Sequence, residues 1–144
     1  MMTRVSAAKA VAADFWQGRL NAARAFRQAA SDGVTLAAEG RNMNPEVSQM
    51  TLAAIAYCDA LTARLAGKIN QQDHAAAARL LRDVMGNALP QSQETRLRRL
   101  LGHKDAAQYG IRPTSLDQAR RFLDDLTVFA DWVEDQLPSP AGAA

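Results

Sequence analysis

Between Leu116 and Leu137 the chain carries an unbroken seam of Leu116, Ala119, Leu123, Leu126, Ala130, Val133 and Leu137, spaced by alternating steps of three and four. Such steps return to one side of an α-helix, whereas a strand reverses face at every residue. Phe122 and Phe129 broaden the stripe. Ser115 and Gln118 have capping-box spacing at its start, and Pro138 ends it. A long helix with one apolar side needs other helices to cover it, so the seam fixes the class of fold before anything else is read.

The rest of the sequence agrees. Valine, isoleucine and threonine never alternate with polar residues for long enough to make a strand. A first helix is predicted from Val5 to Ala30, with Ala8, Val11, Phe15, Gly18, Ala22, Ala25 and Ala29 on its inner stripe, bordered by Trp16 and Phe26. Ser31-Asp32-Gly33 reads as its stop, and Val34 to Asn44 as a loop. Asn44 as N-cap and Pro45 open a second helix on the seam Val47, Thr51, Ala54, Cys58, Leu61 and Leu65, with Gly67 as its stop. Lys68 to Gln72 reads as a polar link. Asp73 caps a short helix that carries Leu80, Leu81, Val84 and Met85 and ends at Gly86. After a turn containing Pro90, a further helix carries Leu97, Leu100 and Leu101 towards Tyr109, with Gly102 as a point where it can break. The expected architecture is one all-α domain over residues 1–138, an up-and-down bundle of four to five helices, followed by a loose tail over 139–144.

Composition narrows the function classes. Hydrophobic residues make up 48% and charged residues 22%, which excludes global disorder. A net charge of +2 excludes wholesale polycation behaviour. Cys58 is the one cysteine, so neither an internal disulfide nor a cysteine zinc cage forms, which fits a reducing, cytoplasmic setting. The longest charge-free stretch, Val47 to Cys58, has 12 residues. Spanning a bilayer takes about 20, so no membrane role is expected. Lys9 and Asp14 interrupt any signal-peptide core.

No glycine-rich phosphate loop, nucleophile elbow or H-E-x-x-H motif is present. A helical bundle invites di-iron chemistry, but neither His74 nor His103 has a glutamate three residues before it, so no metal or other cofactor is expected. Charge is segregated. Arg96, Arg98, Arg99, His103 and Lys104 follow one another without an intervening acid, and Arg112, Arg120 and Arg121 come next. After Phe122 come Asp124, Asp125, Asp131, Glu134 and Asp135, without a base. Arg96, Arg98, Arg99, Lys104 and Arg112 are the candidates for contact with nucleic-acid phosphates. Base stacking has little support, since Tyr109 is the one aromatic residue near the cluster. The other single residues have blander readings. His74 belongs to a helix cap, Tyr57 and Asp59 to the edge of the core, Cys58 to the apolar seam, Trp16 and Trp132 to helix contacts, and Asp124 and Asp125 to solvent.

The segment His103-Lys104-Asp105-Ala106-Ala107-Gln108-Tyr109-Gly110 resembles the end of the signature helix of the HEPN superfamily of helical-bundle proteins. Ala54-Ile55-Ala56-Tyr57-Cys58-Asp59-Ala60-Leu61 is similar to the second helix of that family, and Asn70-Gln71-Gln72-Asp73-His74 to its polar link. The resemblance implies a bundle that pairs into a homodimer. In its ribonuclease members an arginine steadies the phosphate and a histidine moves the proton when the RNA 2′-hydroxyl attacks, without metal. Both roles suit the chemistry of those side chains.

Two registers fit. Arg98 and His103, with four residues between them, match the motif formally, as do Arg96 and His103 with six between. In the preferred register Lys104 takes the arginine position, Asp105 the polar position and Tyr109 the histidine position, at the helix end where the family pattern places the motif. Lysine lacks the guanidinium fork, and an ordinary tyrosine titrates at about 10. That register predicts a non-catalytic or weakly catalytic module binding RNA, nucleotide or a protein partner in a stress or defence setting. The alternatives are a metal-independent endoribonuclease of toxin type using Arg98 and His103, and a purely structural helical dimer.

Overall fold

The computed structural model describes residues 8–102 and 112–138. It is an all-α bundle of five helices among the described residues: α1 (Phe15–Leu36), α2 (Asn44–Ala66), α3 (His74–Met85), α4 (Gln91–Gly102) and α5 (Leu116–Gln136). Its centre is α2, which touches all four other helices. That position explains a sequence apolar almost all round: Val47, Met50, Ala53, Ala54, Ala56, Tyr57, Cys58, Ala60 and Leu61 are all buried. The alanines let neighbouring backbones come close. Leu65, expected on the seam, is 48% exposed in the last turn, where helical phase has carried it past the core.

The signals for α2, α3 and α5 are realised as local chemistry. Pro45 sits in the first turn of α2, one residue inside a start at Asn44, so Asn44 is helical rather than the cap. Gly67 closes that helix in the left-handed conformation at φ 66°, and its N–H donates to Ala63. Asp73 caps α3 by accepting from Ala76 N–H at 3.1 Å. Ser115 accepts from Gln118 N–H at 3.1 Å while Gln118 Oε1 accepts from Ser115 N–H at 3.0 Å, a complete capping box. From there α5 buries Leu116, Ala119, Leu126, Phe129, Ala130 and Val133.

The first helix departs from expectation in three ways. Residues Ala8–Ala10 form a strand, β1, and helix starts only at Phe15. That strand pairs antiparallel with β2 (Lys68–Asn70), the supposed polar link, in the register Ala8↔Asn70, Lys9↔Ile69 and Ala10↔Lys68. Two strands of three residues are too short to carry any alternation, which is why the sequence hides them. Second, Ser31-Asp32-Gly33 does not stop the helix, which runs on to Leu36 and buries Val34. Gln28 Nε2 donates to Asp32 at 2.8 Å one turn away, and Gly33 serves close approach to α2 rather than termination. Third, the buried stripe is Trp16, Leu20, Ala23, Ala30 and Val34, while Phe15, Gly18, Ala25 and Ala29 face outward. Apolar area decides this. Burying a tryptophan, a leucine and a valine removes far more surface from water than burying a row of alanine methyls.

The remaining link also has a defined path. Met43 N–H donates to Thr114 O at 2.9 Å, Asn44 Nδ2 to Arg112 O at 3.0 Å, and Thr114 Oγ1 to Asn44 Oδ1 at 2.6 Å. These bonds seat the entry to α5 on the start of α2. Among the described residues no helix is long and apolar enough to cross a membrane.

Candidate functional site

The basic run on α4 is divided by helix geometry. Successive residues turn about 100° on an α-helix, so Arg96 and Arg99, three apart, share a face that Arg98 does not. Arg99 Nη2 lies 3.0 Å and Arg96 Nε 3.9 Å from the same Asp125 Oδ1 on α5. Asp125 is therefore a half-buried counter-ion, not a solvated acid; Asp124 is exposed as expected.

Arg98 points to the other side, where α3 and α4 leave two adjoining clefts. One, of about 390 Å³, is lined by Asp73, His74, Ala78, Arg98, Leu101 and Gly102 among others. The second, of about 220 Å³, is lined by Arg79, Arg82, Asp83 and Arg98 among others. Arg98 is the wall they share. Its Nη2 stands 3.4 Å from Glu94 Oε2, and half of its side chain remains exposed. Glu94 is chiefly engaged elsewhere: Arg82 Nη2 donates to it at 2.9 Å, and that bond, with the arginine charge, holds its carboxyl below the usual range. Arg82 also donates to Gly86 O at 2.6 Å and Leu89 O at 3.1 Å, fastening the α3–α4 turn and so the width of the groove. Arg79 is exposed and makes no ion pair among the described residues.

The structure thus brings Arg98 together with His74 and Arg79, neither of which the sequence reading placed at a site. No sequence signal finds that pairing, because His74 and Arg98 lie on different helices. Arg112 is exposed at the start of α2, outside the lining of both clefts. His103, Lys104, Asp105 and Tyr109 lie outside the described residues, so both motif registers do as well. Among the described residues no group of three His, Cys, Asp or Glu side chains comes together to hold a metal ion.

Tyr57 and Asp59 are not at the edge of the core. Tyr57 is fully buried and Asp59 is 7% exposed. Arg19 Nη2 faces the Asp59 carboxylate at 3.3 Å, yet burial pushes that carboxyl up to about 6. Cys58 is buried as expected, and burial raises its thiol well above the ordinary value, which makes it inert. Trp16 is part of the core, and Trp132 is half-buried with its ring centroid 6.1 Å from that of Phe129. Comparison with protein-family models finds no match to this chain, and comparison with curated proteins finds none either.

Proposed function

We propose that the chain is a non-catalytic, HEPN-like helical module that holds a single strand of RNA through its phosphates along α3 and α4. The observation that carries this reading is the placing of Arg98 on the wall common to two adjoining clefts, with Arg79 and His74 beside it. Clefts in series along two helices suit a backbone with repeating charge better than a single small ligand. Arginine offers several donors to phosphate oxygens at once. Arg96 and Arg99 together carry one more charge than Asp125 cancels, which leaves that face weakly basic.

Fluorescence anisotropy with a labelled single-stranded RNA across a salt series tests this. Affinity should fall steeply with salt, and Arg98→Ala and Arg79→Ala should each flatten the log–log slope by about 0.7. Binding that ignores both substitutions would sink the reading. The ribonuclease alternative requires cleavage that survives chelator, leaves 2′,3′-cyclic phosphate ends, and disappears in Arg98→Ala and in His103→Ala.

A helical homodimer is the second reading. Phe15 and Leu65 are 36% and 48% exposed at the end of the α1–α2 pair where Val11 N–H donates to Gly67 O, apolar surface that a second copy would cover. Sedimentation equilibrium should then find twice the 15.6 kDa chain mass, and a monomer throughout the micromolar range would exclude it.

A further inference from the structure

Helices α1, α2 and α5 leave a third cleft, of about 460 Å³, far more polar than the core beneath it. Arg24, Arg27 and Ser31 line it from α1, Tyr57 from α2, and Thr127 and Glu134 from α5. Arg24, Arg27, Gln28 and Ser31 fall at the spacing of one helix face, next to the buried stripe of α1. The sequence reading passed over this row because it sought the apolar side.

The floor is rigid. The ring of Tyr57 is fully buried, and its hydroxyl donates to Glu134 Oε2 at 2.9 Å. Arg24 reaches Glu134 Oε1 through Nε at 3.1 Å and Nη2 at 2.6 Å. Arg27 Nη2 donates to Asp131 at 2.9 Å, and Arg27 Nη1 stands 3.8 Å from Glu134 Oε2. Burial pushes the Tyr57 phenol up to about 12 against the pull of Arg27, so it stays a neutral donor. Burial works against ionisation of Glu134 too, but the bonds from Arg24 and Tyr57 outweigh it and hold the carboxyl below its usual range.

The lining carries the guanidinium groups of Arg24 and Arg27 and the carboxylate of Glu134, with Asp131 paired to Arg27 at its edge, so the charges balance and the site offers an anion N–H donors rather than net charge. A guanidinium has five N–H donors. Arg24 directs Nε and Nη2 to Glu134, and its Nη1 has no partner among the described residues. The hydroxyls of Ser31 and Thr127 form no hydrogen bond there either. An ion-pair staple between α1 and α5 accounts for Arg24 with Glu134 and for Arg27 with Asp131. It does not account for the open volume beside the pairs or the idle hydroxyls on its walls.

We propose that this cleft is a binding site for a small organic oxoanion, a phosphate ester or carboxylate. Arg24 and Arg27 hold the head group, and Ser31 and Thr127 donate to it from either wall. Glu134 and Tyr57 fix the guanidinium groups from beneath. The cleft, about 460 Å³ and open to solvent, has room for an oxoanion that carries an organic body. This site is built on other helices than the RNA reading and stands without it.

The test is an NMR titration of the isotope-labelled full chain at low ionic strength with inorganic phosphate, glycerol phosphate and succinate in turn. Saturable shifts should appear at the Arg24 and Arg27 Nε–H groups and at Thr127. Glycerol phosphate should bind more tightly than inorganic phosphate, and the succinate arm separates a phosphate site from a carboxylate one. Arg27→Gln should weaken binding about tenfold or more, the effect of losing a charge-assisted bond. Should that variant fail to fold by circular dichroism, Thr127→Val keeps every ion pair and should weaken binding about threefold or more. The proposal is overturned if no probe gives saturable shifts, or if the shifts survive both Arg27→Gln and Thr127→Val. Displacement of phosphate from α1 and α5 by an RNA oligonucleotide would equally overturn it as a separate site.

Discussion

Gly33 and Glu46 meet so closely that a Cβ on Gly33 would lie 2.6 Å from Glu46 Cγ. Glu46 has little room to yield, being 6% exposed with Oε2 held at 3.0 Å by Arg41. In an open helix, Gly→Ala gains about 1 kcal/mol. Here the overlap outweighs that gain, and Gly33→Ala should lower stability by about 1 kcal/mol net in urea denaturation. In a Glu46→Ala background the same substitution should become stabilising. A gain in the parent chain would show that α1 and α2 lie further apart than described.

The ion pairs on α4 give the RNA reading a prediction of opposite sign. Asp125 is the shared partner of Arg96 and Arg99. Asp125→Asn frees that charge, so RNA should bind several-fold more tightly at low salt and depend more steeply on salt. Unchanged affinity would place bound RNA away from α5.

Stability should respond to the Asp59 carboxyl. Its folded-state value of about 6 stands above the unfolded 3.8, so the folded chain binds the extra proton between those limits. Stability from this group is thus greatest in acid and is lost as pH rises through 6. Between about pH 5 and pH 7 the loss is on the order of 1 kcal/mol. Denaturation midpoints should show that decline in the parent chain and a flatter profile in Asp59→Asn. Glu94 and Glu134, both lowered, contribute the reverse trend, but only below the ordinary carboxylate range.

Two substitutions on α5 separate packing from capping. Leu126 is fully buried, and Leu126→Ala should cost about 2–5 kcal/mol. Ser115→Ala removes one side of the capping box and should cost about 1 kcal/mol. Equal effects would mean that the seam of α5 is not the core it is taken for.

Legibility in the sequence follows the range of the forces involved. Caps and stops such as Asp73, Gly67, Ser115 and Pro45 act within one turn, and they set the limits of α2, α3 and α5 to within a residue. The phase of α1 was not legible, because alanine fits an inner or an outer face equally well and only the contest with Trp16, Leu20 and Val34 decides it. Gly33 gave the opposite of its usual signal because its partner, Glu46, is on another helix. The candidate sites show the same limit. Arg98 was singled out by a run of like charges, but His74 and Arg79 join it only through the α3–α4 turn that Arg82 fastens. Arg24 and Glu134 are 110 residues apart, and nothing short of the closed bundle puts them in contact.

That separation also gives the molecule an order in time. The contacts of α1 with α2 close over a short loop, and those of α3 with α4 over a single turn, so both pairs can form as soon as their second helix exists. The contact of α1 with α5 waits until the 110 residues from Arg24 to Glu134 have left the ribosome. Until then Arg24, Arg27 and Tyr57 stand on an open surface without their carboxylate. Among the described helices it is α5, made after the other four, that turns this cationic face into a walled cleft, so a chain still lacking α5 carries the charges of the site without its shape.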